Sequence, residues 1–132
     1  MKDPNKPCLF CNIKKKEVKF ENDLAYSTFD SYPVSDKHCL IIPKRHIKNY
    51  FDLSEKEVIA CNKLIVKMKN YIEINDKLVK GFNIGINSGK VAGQSVWHCH
   101  IHLIPRREND VENPQGGVRG VIPAKQHYVR KS

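Results

Sequence analysis

The amino-acid sequence predicts an α+β fold in which an antiparallel sheet packs against one long helix. Several short apolar segments are typical of strands, and a single long segment carries both a helix-start signal and an amphipathic pattern. These elements are grouped rather than alternating, which argues against a doubly wound sheet. At 132 residues, the chain can form one domain that buries about two thirds of its unfolded surface. We therefore expect residues 1–132 to form a single domain, in which about residues 107–132 are a loop-rich tail.

The first half of the chain contains two predicted strands and the start of the helix. Residues 24–29 and 39–42 are short and rich in apolar side chains, and Pro43 ends the second strand. Ser54, with Glu57 three residues later, is a capping box that marks a helix start. The helix then presents an apolar stripe at steps of three and four residues, which we expect to pack in the core: Val58, Cys61, Ile65, Met68 and Ile72.

Two further strands are predicted in the second half, at residues 82–86 and 96–104. The second one carries His98, His100 and His102 at spacing two, so a strand would place all three imidazoles on one face. The other face would carry the remaining side chains, against the core: Trp97, Cys99, Ile101 and Leu103. Because the first and last histidine would lie about 13 Å apart at their backbones, they are poorly placed to share one ion. Neutral imidazole can instead attack phosphorus directly, which predicts a catalytic site.

The segment that precedes these histidines, residues 87–95, is polar and contains two glycines. Gly93 lets the backbone approach a ligand closely, and Gln94 and Ser95 offer uncharged donors. By itself this segment is typical of an ordinary hairpin loop. Directly before three aligned histidines, we interpret it as an anion-binding loop.

Composition limits the classes of partner. The formal net charge of +9 favours anionic partners, but the lysines are spread along the chain, so we expect a nucleotide rather than a specific nucleic acid. No apolar run approaches the roughly 18 residues of a membrane span, and the first seven residues show no export signal. We therefore expect a cytoplasmic protein without a membrane partner.

The five cysteines fall into two classes. Cys39, Cys61 and Cys99 lie in apolar stretches and are predicted to be small core residues. Cys8 and Cys11 form a C-x-x-C pattern, which in a chain without an export signal favours a metal or redox role over a structural disulfide. A redox motif would normally lie between a strand and a helix in a thioredoxin-like pattern, which this sequence does not show. Zinc is the preferred interpretation, and it requires two further ligands.

Residues 92–106 resemble the signature of the histidine triad (HIT) family of nucleotide hydrolases and transferases. The shared pattern is His-φ-His-φ-His-φ-φ, where φ is hydrophobic, preceded by Gly-Gln-Ser and followed by Pro-Arg. The resemblance extends to the Cys8-x-x-Cys11 opening and to the order and spacing of Phe29, Asp30, Pro33, His38 and residues 42–46. It implies a HIT-like fold and a homodimer.

The resemblance also implies roles for individual residues. His100 matches the nucleophile that attacks the α-phosphorus, and His102 the residue that hydrogen-bonds a phosphoryl oxygen. Asp30 would hold the ribose hydroxyls, and His38 would support the triad from behind. The nucleotide-contacting segment is implied to contain Asn87, Gly93, Gln94, Ser95 and Val96. A structural zinc is implied at Cys8, Cys11, His46 and His98, and no catalytic divalent ion is required.

The substrate remains open between two classes. Residues 106–123 resemble members labelled as diadenosine tetraphosphate hydrolases, which favours a purine dinucleoside polyphosphate; an adenosine phosphoramidate is the alternative. Arg119 and Lys125 could meet extra phosphates or be solvated. Two rival functions are a non-catalytic nucleotide sensor and a zinc hydrolase with His98 and His100 as ligands. A homodimer could form through the edge of strand 82–86 and a helix face with Leu64 and Tyr71; otherwise the strand is interior and the chain monomeric.

Overall fold

The computed structural model describes residues 8–131, which form one five-stranded antiparallel sheet with a single long helix on one face. The first seven residues, where we expect no export signal, and residue 132 lie outside this described part. The strands occur in the order β1-β2-β3-β5-β4, with bounds β1 Val18–Glu21, β2 Ala25–Phe29, β3 Cys39–Pro43, β4 Val79–Ile86 and β5 Ile101–Arg107. Helix α1 spans Glu55–Asn75. The predicted α+β class is confirmed, and β1 is a strand that the sequence did not reveal.

Helix α1 begins as the capping box predicts. The Ser54 hydroxyl accepts a hydrogen bond from the Glu57 backbone N–H at 3.2 Å, and Glu57 accepts one from the Ser54 backbone N–H at 2.9 Å. The apolar residues that the helix buries against the sheet are Ala60, Cys61, Leu64, Met68 and Ile72. The expectation that Leu64 offers apolar area to a dimer contact is wrong, because it is 3% exposed in the core.

Two apolar clusters lie on opposite faces of the sheet. The cluster under the helix includes Ile41, Met68, Ile72 and Leu103, together with Cys39 and Cys61, and Cys99, the third cysteine predicted to be a core residue, is also buried. Burial raises the pKa of each of those thiols above its ordinary value, to about 12, 12 and 11 for Cys39, Cys61 and Cys99. The second cluster contains Phe10, Tyr26, Leu40 and Ile42, so the N-terminal segment packs on the face opposite the helix.

The strand predicted at residues 96–104 begins later than expected. β5 starts at Ile101, where its pairing with β3 and β4 also starts, so of the three histidines only His102 lies in the strand. Before that point the backbone has a different partner: the Cys99 N–H donates to the Ile47 carbonyl at 2.7 Å. Trp97 is 41% exposed, which corrects its expected place against the core.

The sheet edge and the tail have distinct features. β4 forms one edge of the sheet, as the dimer hypothesis requires, and Ile84 on it is 50% exposed.

After β5, the tail contains two short 3₁₀ turns, Gly117–Val121 and Pro123–Lys125. Gly116 has a φ of 87°, and a Cβ there would lie 2.1 Å from the Gln126 carbonyl oxygen, so glycine is required at this position. Within residues 8–131, no helix is long and apolar enough to cross a membrane.

Candidate functional site

A cluster of two thiols and two imidazoles lies between the N-terminal segment and the start of β5. One ligand atom from each of Cys8, Cys11, His46 and His98 lies within 4.8 Å of all the others. Cys11 Sγ lies 3.1 Å from His46 Nδ1, and Cys8 Sγ lies 3.4 Å from His98 Nδ1. The structure thus brings together the four residues predicted as metal ligands.

The tautomer of His98 suits metal binding. Its Nε2 lies 2.7 Å from the Pro43 carbonyl oxygen, which can only accept, so Nε2 carries the proton and Nδ1 presents a lone pair to the two thiols. Complete burial lowers the pKa of His98, which favours the neutral ligand form. A Cys₂His₂ donor set of this size fits a tetrahedral ion such as Zn²⁺, and a carbonyl behind the imidazole is the usual support for such a ligand.

His100 is oriented by the backbone of His98. Its Nδ1 lies 2.9 Å from the His98 carbonyl oxygen and must donate to it, so the Nε2 atom of a neutral His100 has a lone pair. The edge of Phe10 packs on the ring at a centroid distance of 5.1 Å. Since Nδ1 is engaged with a carbonyl and His100 belongs to neither potential metal group among residues 8–131, the structure argues against a zinc hydrolase with His100 as ligand.

A chain of hydrogen bonds also determines the tautomer of His102. The Val34 backbone N–H donates to His38 Nδ1 at 3.1 Å, so a neutral His38 carries its proton on Nε2. That atom lies 2.9 Å from His102 Nδ1, which therefore accepts. The Nε2–H of His102 is then a hydrogen-bond donor beside His100, whose ring centroid is 5.2 Å away.

Burial keeps this histidine pair neutral. The pKa of His102 is lowered to about 4, first by burial and then by the neighbouring His100 and His38. The pKa of His38 is also lowered, by burial, against the attraction of the nearby carboxylate of Asp30. Asp30 Oδ2 lies 3.4 Å from His38 Nε2, while Oδ1 accepts the Tyr32 N–H at 2.8 Å. Asp30 thus stabilises a turn through Oδ1, and its Oδ2 lies beside the histidines.

The predicted anion-binding loop is braced by Gln94. This residue is 5% exposed, its side-chain amide donates to the carbonyls of Lys48 and Val96, and its backbone N–H donates to the Gly89 carbonyl. The prediction that the Gln94 amide is a donor for phosphate is therefore wrong, because its hydrogens are already engaged within the protein. The structure assigns it to loop shape instead, with Gly93 in a left-handed turn at φ 95°.

The remaining predicted loop residues differ in exposure. Ser95 is exposed, and within the described chain its hydroxyl makes no hydrogen bond, whereas Val96 is half-buried. Asn87 is half-buried and directly follows Ile86, the last residue of β4, which pairs with Ile101. Arg119 makes hydrogen bonds within the tail, because it donates to the Lys125 and Gln126 carbonyls at 2.7 and 3.2 Å. Lys125 is exposed.

Sequence reasoning missed several contributors to the site. The carbonyl of Pro43 and the N–H of Val34 set histidine tautomers, and a backbone group has no signal in the sequence. Phe10 packs on both His98 and His100, and its place between two cysteines was the available signal. Arg45, next to His46, donates to the buried Glu57 at 2.7 and 3.0 Å, which ties the ligand segment to the start of the helix.

Comparisons with known proteins agree with this geometry. The profile described as HIT domain matches residues 12–109. A Candida albicans protein named adenosine 5'-monophosphoramidase is 34% identical over 108 residues, which cover 76% of this chain and 71% of that protein.

Two solved structures share the fold. A zinc-bound histidine triad family protein from Mycobacterium smegmatis has a TM-score of 0.69 and 30% identity, covering 78% of this chain and 77% of that one. The diadenosine triphosphate hydrolase of Plasmodium falciparum, in complex with cyclomarin A, has a TM-score of 0.66 and 32% identity, covering 87% and 82% of the two chains.

Proposed function

Because the chain belongs to the HIT domain family, in which similar proteins bear hydrolase names, we propose that it hydrolyses a purine dinucleoside polyphosphate. The substrate would be of the diadenosine tetraphosphate type, cleaved at the α-phosphorus through a covalent nucleotidyl intermediate on His100. Family membership supports nucleotide hydrolysis by a histidine triad. The leaving group and the individual roles below are our inference from the geometry.

One observation carries the proposal: the hydrogen bond from His100 Nδ1 to the His98 carbonyl. It leaves the Nε2 lone pair of His100 for attack and holds the ring in one orientation. In the first step a bond forms between Nε2 and the α-phosphorus, and the bond from phosphorus to the bridging oxygen breaks. The leaving phosphate takes that electron pair. In the second step, water attacks the same phosphorus, the bond from Nε2 to phosphorus breaks, and a nucleoside monophosphate is released with the proton of the water lost to solvent.

His102 supports a leaving group that departs as an anion. With a pKa lowered to about 4, it is neutral near pH 7 and offers its Nε2–H as a hydrogen-bond donor to a phosphoryl oxygen. A polyphosphate leaves without needing a proton, whereas an amine leaving group must be protonated, which neutral imidazole does poorly. This observation favours the polyphosphate over the phosphoramidate.

The metal has a structural role in this proposal. Cys8, Cys11, His46 and His98 would hold one zinc ion, which supplies rigidity and no chemistry to the reaction. The residue it would hold, His98, also presents the carbonyl that orients His100. The zinc-bound Mycobacterium smegmatis relative supports the choice of metal. No catalytic divalent ion enters the steps above.

The substrate nucleotide would be held from both sides of the histidines. We assign Asp30 Oδ2 to the ribose hydroxyls, because Oδ1 is already engaged by Tyr32. Asn87, Ser95 and the backbone of the loop at Gly93 and Val96 would contact the phosphate, with Gln94 as the brace behind them. Donors from this loop take the place of a metal in stabilising the developing charge.

Adenosine phosphoramidate hydrolysis is the second candidate, favoured by the name of the similar Candida albicans protein. Turnover of diadenosine tetraphosphate and of adenosine phosphoramidate, measured side by side, separates the two. We expect a higher kcat/KM on the dinucleotide. The reverse ranking would contradict our choice of leaving group but would leave the nucleophile intact.

The nucleophile itself is tested by His100→Ala, with His127→Ala as a matched control on an exposed tail histidine. His100→Ala should fold normally and lose several orders of magnitude in turnover, and the control should match the wild type. A nucleotidyl adduct should be trapped on the wild type by acid quench and located at His100 by mass spectrometry. Retention of more than about a tenth of the activity by His100→Ala would eliminate covalent catalysis at this residue.

We also propose that the enzyme is a cytoplasmic homodimer paired through β4. This strand lies at the sheet edge, where unpaired backbone groups invite a second copy, and its exposed Ile84 adds apolar area. Thiols of Cys8 and Cys11 placed as metal ligands suit a reducing compartment.

A further inference from the structure

A cavity of about 760 Å³ is lined by residues of β4, β5 and the tail, and it has no role assigned in the steps described above. Its floor is formed by β4 and β5, with Asn83 and Ile104, and its other sides by Val34 and by the tail residues Val118 and Val121. His102 and Ile104 are alternate residues of one strand, so the cavity lies on the sheet face that carries His102.

The wall of this cavity is connected to the reacting groups. Val34, which lines it, donates through its backbone N–H to His38, and His38 contacts His102. Gly85, also in the lining, is the register partner of His102. A ligand that extends from His102 along this face reaches the level of Ile104 after about 7 Å.

The charge of the cavity does not suit phosphate. Arg106 in its lining donates to both carboxylate oxygens of Asp110, at 2.8 and 2.9 Å, and to Asn83 Oδ1 at 2.7 Å. Its guanidinium is therefore already neutralised by a bidentate carboxylate. The other charged residues of the lining, Asp110 and Glu112, are both acidic. The cavity thus disfavours an anion and accepts a neutral group.

The apolar part of the lining suits an aromatic base. Aliphatic side chains from the sheet and the tail provide flat apolar contact, as in most small-molecule sites of this size. Asn83 Oδ1 accepts a hydrogen bond from Arg106. Within residues 8–131, the side-chain NH₂ of Asn83 makes no hydrogen bond, and neither does the amide of Asn87. The Asn83 amide can donate to the polar edge of a base, whereas the Asn87 amide is the one assigned above to the phosphate.

We propose that this cavity binds the nucleoside of the leaving group, that is, the second base and ribose of a dinucleoside polyphosphate. The inference rests on the proposed function and deepens it. Bridging phosphates span the distance between His100 and the cavity, so a mononucleotide with a small leaving group does not occupy it. The tail is then a specificity element, because it supplies one side of the binding site.

The test fills the cavity with Val118→Trp and uses Val129→Trp as control, since Val118 is 59% exposed and Val129, on the same tail but outside the lining, is 93% exposed. Turnover of diadenosine tetraphosphate and of adenosine phosphoramidate is measured for each protein. For Val118→Trp we expect kcat/KM on the dinucleotide to fall about tenfold or more, chiefly through KM, with less than about a twofold change on the phosphoramidate. An equal change on both substrates, or no change on either, overturns the proposal.

A binding measurement separates this inference from the proposed reaction. Calorimetry on His100→Ala, with and without Val118→Trp, compares the affinity for diadenosine tetraphosphate with that for adenosine monophosphate. A preference for the dinucleotide that Val118→Trp reduces about tenfold supports the cavity even if the wild type fails to hydrolyse the dinucleotide. If the dinucleotide binds no more tightly than the monophosphate, or if Val118→Trp leaves the preference unchanged, the cavity does not bind the second nucleoside.

Discussion

Replacing His38 with phenylalanine tests whether the tautomer of His102 matters for catalysis. The substitution keeps a ring of similar shape in a site that is 3% exposed, but it removes both nitrogens. The Val34 N–H loses its acceptor, and His102 Nδ1 loses its donor at 2.9 Å. His102 is then free to carry its proton on Nδ1, which leaves an acceptor instead of a donor facing the phosphate.

The size of the effect follows from the two broken hydrogen bonds. A buried polar group left without its partner costs about 1–3 kcal/mol, so we expect a total destabilisation of about 2–4 kcal/mol after partial relaxation. The part of this free energy that comes from the lost donor orientation at His102 acts on the transition state. It corresponds to a loss of about 10- to 100-fold in kcat, with little change in KM.

Steady-state kinetics on diadenosine tetraphosphate and urea unfolding provide the assay. His127→Phe is the matched control, because it makes the same change at an exposed histidine of the tail. His38→Gln should recover part of the lost kcat, since its amide can again donate to His102. A folded His38→Phe protein with kcat within about twofold of the wild type would refute the role assigned to this hydrogen bond.

Three further predictions concern the metal, pH and assembly. Purified protein should contain about one zinc ion per chain, and a chelator, like Cys11→Ser, should lower the unfolding temperature before it lowers activity; a metal-free protein of full stability would contradict the assigned ligands. The folded pKa of His102 is lowered from 6.5 to about 4, so the unfolded state binds more protons between these values. Stability is therefore fully present above pH 6.5 and should decrease by about 2–3 kcal/mol on acidification to pH 4, an effect that urea titrations should find diminished in His102→Asn. Light scattering should give twice the chain mass of 15.2 kDa, and a monomer at micromolar concentration would exclude the dimer.

Local sequence predicted most of the elements and the residues of the metal cluster. Ser54 and Glu57 specify the start of α1 through side chains that reach their own backbone, so neighbours in the chain are sufficient. Cys8 and Cys11 likewise predict a metal site, and the structure places them with His46 and His98 in a cluster that could hold an ion. The spacing of the histidines pointed to a nucleophile, even though the strand that carries them begins only at Ile101.

Only the tertiary structure decided the orientation of the reactive atoms. Which nitrogen of His100 keeps its lone pair depends on donation to the His98 carbonyl, and which nitrogen of His102 can donate depends, through His38, on donation by the Val34 N–H. Such backbone groups exist for every residue type and carry no sequence signal. Gln94 is a residue type that can donate to phosphate, but its side-chain amide donates to the carbonyl of Lys48, which is 46 residues away in the sequence. Leu64 shows the same limit: helical periodicity gives the width of an apolar stripe, whereas the sheet against which α1 packs decides which edge of that stripe is buried.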